Sequence, residues 1–405
     1  MRARAAVVCA AGVIIGCAGC TSGPAQPQAD HTEPGRVLAS PGCSTATAKS
    51  PVLSGVSTAM TAVSGTPYGV AVTPDGRWAF VANGGSIDVL RTGSALAPVK
   101  VATIPVPVPA AARGVGLLGE ALTPDGRYLL AATGGGAVVV SVTRAEQGRR
   151  DAVLGTMSDP TGGDGAVEVA VSPDGDYAFV TEEDSLRVAV FNLHRALTQG
   201  FGPRDFAGTI PVGIAPVGMA VSPDGRWLYV TSEVMAQKPN GNVGTLTVVN
   251  VARAEADPAT AVAATVAAGC SPVRVITSAD GREVWVTART SDDLLCFSAA
   301  ALRTDPGRAL VAMVRVGPAP VGLALVRNGS LIVVADSNRY TASGATSDLS
   351  VVNAAAALAG EPATAGSIPA GQSPREMALE PDGQRLLVSN YASGQLEAVS
   401  VPSIP

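Results

Sequence analysis

Three charged residues break a pattern of small ones. Glu168, Arg274 and Glu376 stand where Gly69, Gly119, Gly218 and Gly322 stand in equivalent stretches of the chain. Two glutamates and an arginine brought to one point can hold or move a proton, which makes these three the candidate catalytic residues. Tyr68, Glu120 and Arg375 lie beside them in register. A second set, Glu182, Glu183, Glu233, Arg289, Arg339 and Tyr391, follows the next apolar run. Arginines gathered in a concave site suit a carboxylate or phosphate, which the planar guanidinium grips through two parallel hydrogen bonds. Facing glutamates would orient hydroxyls, act as a base where water is excluded, or hold a hard divalent cation. The competing reading is that these charges pair with one another and line a wet channel for packing reasons.

The elements that must position them are repeats. The phrases "VTPDGRWAFVANG", "LTPDGRYLLAATG", "VSPDGDYAFVTEE", "VSPDGRWLYVTSE", "TSADGREVWVTAR", "LVRNGSLIVVADS" and "LEPDGQRLLVSNY" recur about every 50 residues, the spacing of a propeller or solenoid. Each unit reads as an apolar strand, an Asp-Gly turn, a second strand, a loop and two more strands, which is one propeller blade. Asp-Gly suits a tight hairpin because glycine takes a positive φ without steric cost. The 46 glycines and 30 prolines, with no collagen or linker period, agree with an all-β chain of many turns. The seventh unit lacks a fourth strand, and a surplus one, residues 56–65, precedes the first. The expectation is a seven-bladed β-propeller, residues 55–405, closed by this N-terminal strand as the outermost strand of the last blade. The lead-in to each first strand and the loop after each second strand then share one face, with acids mainly on blades two to four and arginines on blades five to seven.

The segments "FVANG", "FVTEE", "LYVTSE" and "VWVTAR" resemble the YVTN-type repeat of lactonase-like seven-bladed propellers, over residues 56–405. That group includes lactonases, a muconate-lactonizing enzyme and proteins without known catalysis. The resemblance implies a His working with Glu and Arg in the lactonizing members. Here Glu and Arg are supplied and the His is not, so a glutamate or a metal-bound water would have to serve as base.

Other chemistries are set aside. "GVGLLG" at 114–119 matches the dinucleotide fingerprint only in letters, since the inner strand of a blade follows it rather than a helix. "GGG" at 134–136 is a hairpin loop. His31 and His194 fall away from the charged set, and no C-x-x-C-H is present, so haem and copper cofactors are not expected. Trp78, Trp227 and Trp285 all fall in second strands, where packing is their role. No cofactor is expected beyond a divalent cation on the acidic side. A net charge of -5 gives no basic footprint for nucleic acid.

The N-terminus reads as a processing signal. Arg2 and Arg4 precede an apolar run, 5–19, that is shorter than the ~20 residues of a membrane span. It ends in "VIIGCAGCTSG", the pattern of a bacterial lipoprotein signal, with Cys20 as the lipidated residue and Cys17 as the alternative. Residues 1–20 would be the signal and 21–54 a flexible tether rich in Pro, Ser, Thr and Gly. Of the remaining cysteines, Cys270 is read at the lead-in to the fifth blade and Cys296 in that blade's third strand. Those strands lie ~9.5 Å apart, too far for a bridge. Cys43 in the tether can reach either, and a Cys43–Cys270 disulfide is expected. The leading reading is a monomeric, lipid-anchored binding module in the cell envelope, on the outer face of the cytoplasmic membrane, with a plain secretory signal and a secreted protein as the alternative. It would present a polar tunnel mouth to a small anionic molecule or an envelope protein. A lactonase-like hydrolase or lactonizing isomerase is the first alternative and a pure scaffold the second.

Overall fold

Each repeated phrase is locked by its own side chains. In the first copy the Thr73 hydroxyl donates to Asp75 (2.7 Å) and accepts the Trp78 N–H (3.1 Å), while Asp75 accepts the Arg77 N–H (3.1 Å). Short polar side chains that bond to nearby backbone compete with regular structure and so end the strand here. The same triangle recurs at Thr123, Ser172, Ser222 and Ser278. A computed structural model describes residues 38, 43, 48, 50–107, 116–233, 243–340 and 347–405 of the chain. The expected signal peptide, both lipidation candidates and His31 lie outside the described residues.

The strands form seven antiparallel sheets of four, joined inner strand to inner strand around a ring. Blades one to six cover 67–105, 120–158, 166–211, 216–270, 272–315 and 320–370. Blade seven takes three strands from 374–400 and its outermost strand from Thr58–Ala62, which pairs antiparallel with Gln395–Ser400 through Thr58↔Val399 and Met60↔Glu397. The N-terminal closure is therefore as expected, and it removes an open sheet edge. The core lies between blades, not within them. Phe80 and Ile87 of the first pack with Leu129 and Val138 of the second, and Trp285 and Leu294 of the fifth with Ile332 of the sixth.

Two details depart from the strand-only reading. Blades two to six each insert a short helix between third and fourth strands, from Val142–Glu146 to Ala354–Ala359. Ser141, Asn192, Asn250, Ser298 and Asn353 cap them by accepting the N–H three residues on. A cap residue at a strand's end was the available signal. Secondly, Cys270 at the lead-in to blade five is also the last residue of the outermost strand of blade four, Val262–Cys270. It is joined to Cys43 in a disulfide, and Cys296 is a buried free thiol. Beyond Cys43, the Ala48 N–H donates to Val316 O (3.1 Å), the Leu53 N–H to Ser367 O (2.8 Å) and the Ser367 N–H to Pro51 O (2.9 Å). The last part of the expected tether is thus fastened to blades four to six before it enters blade seven.

On the turn face the phrases also meet one another. The proline of one phrase sits against the turn glycine of the next: a Cβ added to Gly126 would lie 2.8 Å from Pro74, and one on Gly225 2.4 Å from Pro173. Pro124, Pro223 and Pro381 make the same contact with Gly175, Gly281 and Gly76. Ala279 and Arg327 hold the proline's place in blades five and six, and Gly329 and Gly383 accordingly have no neighbour within 4 Å. Ala279→Pro should therefore raise stability by about 0.5–1 kcal/mol, since proline suits that turn position and restricts the unfolded chain. Thermal or urea unfolding of the two proteins checks it. Cys43→Ser should lower stability by roughly 2–4 kcal/mol, because the bridge closes a long loop.

Candidate functional site

A β-bulge at the start of the inner strands sets the geometry of the axis. Register slips between Pro272 and Val275, and likewise between Ala166 and Val169 and between Pro374 and Met377. A bulge lets consecutive side chains be re-aimed instead of alternating strictly. Hence Val273 and Arg274 both face the axial cavity. Hydroxyls of the second strands fix these bulges. The Thr287 Oγ accepts the Arg274 N–H (3.1 Å) and donates to the Val321 carbonyl of the next blade (2.7 Å), and Thr231 donates to Val273 O (2.7 Å). Thr181 and Ser389 accept the N–H groups of Glu168 (2.9 Å) and Glu376 (3.0 Å).

At this level glycine alternates with charge: Glu168, Gly218, Arg274, Gly322, Glu376, Gly69. The glycines make the room. A Cβ on Gly322 would lie 2.1 Å from the Arg375 carbonyl oxygen, and one on Gly119 2.4 Å from Glu168 Oε1. Arg274 fills the centre. Its Nε donates to Glu376 and lies 3.4 Å from Glu168 Oε2. Its other nitrogens donate to the Val217 carbonyl (2.5 Å) and the Tyr68 hydroxyl (3.1 Å). Burial pushes the Glu168 carboxyl up to about 8, with Arg274 opposing and Glu376 adding to the rise. Burial also raises Glu376 despite the arginine on it. Burial works to lower Arg274, but Glu376, Tyr68 and Glu168 together hold it above the usual arginine range.

Above this triad a cavity of about 260 Å³ opens on the axis. Its floor is apolar: Leu118, Val167, Val217, Val273 and Val321 form one buried cluster, with Tyr68 against it. Its walls bring together Arg274, Arg289, Arg339, Arg375, Tyr68 and Tyr391 of the sequence candidates. Glu183 and Glu233 join them. Arg289 donates to Glu233. Burial raises both Glu183 and Glu233, the second opposed by Arg289.

Arg375 differs from its neighbours. It is 8% exposed, and no carboxylate lies within ion-pair distance of it among the described residues. Its Nε has no hydrogen-bond partner there. Its guanidinium instead stands 5.1 Å from the Tyr391 ring centre and 5.7 Å from that of Tyr68, and those two rings meet edge-to-face at 6.4 Å. Burial, and the nearby Arg339, Arg289 and Arg274, lower its pKa. Burying an arginine without a counter-ion is costly, which sets Arg375 apart from the paired Arg274 and Arg289.

Glu120, Glu168, Glu182 and Glu376 are not among the cavity's lining residues. Glu168 and Glu376 belong to the triad beneath. Glu120 lies against blade one with its two carboxylate oxygens buried, and burial drives its carboxyl well up. Glu182 pairs with Arg187 (2.7 Å), which also holds Asp159 (2.6 Å), in a separate cluster where burial raises Glu182 to about 7. Neighbouring residues of a strand point to opposite faces, so Thr181 and Glu183 share the axial side and Glu182 cannot. That alternation was the signal for choosing Glu183. The apolar ring had only the "PV" that opens three of the inner strands, at 216–217, 272–273 and 320–321, to announce it.

Residues 44–232 match the family model described as "Lactonase, 7-bladed beta-propeller". No curated protein matches the chain. Among solved structures, Kuenenia stuttgartiensis hydrazine synthase is similar, with a TM-score of 0.65 and 16% identity over 84% of this chain and 97% of that one. At that identity the likeness is one of fold. The glycine alternation makes a direct prediction. Gly322→Ala should cost about 1–3 kcal/mol or more through overpacking against the Arg375 backbone, and chemical unfolding beside the wild type measures it.

Proposed function

We propose that this lactonase-like seven-bladed propeller binds a small carboxylate anion in its axial cavity. The observation that carries the reading is Arg375, buried, flanked by two tyrosine rings, and without a carboxylate partner. An incoming carboxylate would take the two parallel donors of the guanidinium in surroundings where a charged hydrogen bond is strong. Tyr68 and Tyr391 keep the guanidinium's plane in place, and the valine ring excludes water below it. Arg339, also without an ion pair among the described residues, adds positive potential at the rim.

The same site favours a second reading. The family match supports a lactonase-like hydrolase or lactonizing isomerase, in which Arg375 would hold the carboxylate and Glu183 would take a proton from water. Glu183 suits that part because burial raises it and it lines the cavity. Hydrolysis of a simple lactone that disappears in Glu183→Gln while benzoate binding survives would favour the enzyme. An envelope protein offering a carboxylate is a further occupant of the same chemistry. We also propose that the protein acts outside the cytoplasm, anchored through a lipid on Cys20 or Cys17. The Cys43–Cys270 disulfide supports an oxidising compartment.

Calorimetric titration with benzoate, succinate and inorganic phosphate tests the binding reading. Arg375→Ala should weaken carboxylate binding by roughly 10- to 100-fold, the size of a lost charge-assisted hydrogen-bond pair. Arg274→Ala should weaken it as well, by releasing Glu376 and Glu168 beneath the cavity. Unchanged affinity in Arg375→Ala would sink the proposal.

A further inference from the structure

The triad beneath the cavity holds one carboxylate more than it can fully satisfy. Arg274 Nε donates to Glu376, while Glu168 lies farther off, with Oε2 3.4 Å from the same nitrogen. Glu168 Oε1 accepts only a long bond from the Val169 N–H (3.3 Å). Arg274 Nη1 donates to the Val217 and Val273 carbonyls, and Nη2 to the Tyr68 hydroxyl. The groups facing Glu168 are Arg274 from blade five, Glu376 from blade seven and Glu120 from blade two, with the Tyr68 hydroxyl reaching it through Arg274. Gly119 packs against its head, where a Cβ would lie 2.4 Å from Oε1.

The charge count around the cavity then depends on this one group. Arg274, Arg289, Arg339 and Arg375 stand against Glu183, Glu233, Glu376 and Glu168. With these eight groups ionised the charges balance; Glu120, whose carboxyl burial pushes well up, stands outside this count. With a proton on Glu168 the set carries one surplus positive charge, on the side of Arg375 where no carboxylate is paired.

We propose that the cavity takes up a singly charged carboxylate together with a proton held on Glu168, so that anion affinity is set by the protonation of that residue. The inference rests on the anion-binding reading above and adds its ligand charge and its regulation. The binding step is balanced: the anion brings one negative charge, the proton one positive, and no bond forms or breaks other than the carboxyl O–H. Burial holds the Glu168 carboxyl near 8, so the change falls between about pH 7 and pH 9. The sign follows directly. Below that range Glu168 is neutral and the site attracts an anion; above it the new negative charge repels one. Tyr68 connects the two levels, since it accepts from Arg274 and its ring lies against Arg375.

The experiment uses the full chain with benzoate as probe, titrated calorimetrically at pH 7 and pH 9 in wild type and Glu168→Gln. In wild type, Kd should rise about tenfold between the two, the effect of one nearby unit charge in surroundings between water and a dry interior. Glu168→Gln, fixed in the neutral form, should bind equally well at both. Equal wild-type affinity at pH 7 and 9, or a variant that follows the wild-type profile, overturns the inference while leaving the anion site standing. Absence of benzoate binding at every pH overturns the anion site itself. A ligand-free measurement supplies an independent arm. The folded chain holds the Glu168 proton more tightly than the unfolded one, so stability should fall as pH rises from about 5 to 8 and level off above. Glu168→Gln should lose that part of the fall; equal falls in the two proteins would show that Glu168 is not the group.

Discussion

One arginine between two glutamates organises the axis of this propeller. Arg274 reaches from blade five to the Val217 carbonyl of blade four, to Glu168 of blade three, to Glu376 of blade seven and to Tyr68 of blade one. Few side chains could do so; the planar fork offers five donors in fixed directions. The neighbouring glycines follow from it. Three long side chains can meet on the axis only if the blades between them present no Cβ, and Gly218, Gly322 and Gly69 supply that absence. Burying such a cluster is weak evidence for stability, because desolvation opposes the Coulombic gain. What it gives is definition, since it ties five blades to one another at a single level and fixes the floor on which Arg375 and the tyrosines stand.

The fold was legible because the phrase repeats and its physics is local. A hydroxyl, an aspartate and a glycine close each turn without help from elsewhere, so seven copies meant seven hairpins. The missing strand after the last copy and the spare strand before the first were likewise a matter of counting. The short helices were not read, because five to seven residues leave no amphipathic period. Their caps at Ser141, Asn192, Asn250, Ser298 and Asn353 were the only trace.

The site was legible in part. Counting from the phrase brought Arg274, Arg289, Arg339, Arg375, Tyr68 and Tyr391 to one cavity, because every blade carries the same register. It could not separate the cavity from the triad beneath. The bulge at each inner strand breaks the alternation on which such counting relies, and a bulge leaves no mark in residue types. Glu182 went astray for the opposite reason, since alternation holds at the second strand's end and sends it outward to Arg187. The absence of a counter-ion at Arg375 is a property of packing that no list of charged residues contains.

The strap from Cys43 to Ala62 decides how the ring responds to a pull. Closure by the strand Thr58–Ala62 is a set of hydrogen bonds that could be peeled one at a time from the end. The disulfide stands ahead of that strand in the chain and leads into blade four. Tension drawn on any part of the chain before Cys43 is therefore carried covalently into the middle of the ring. It bypasses the closing strand of blade seven. A propeller held by its N-terminus would transmit force through its strongest bond and leave its seam unloaded.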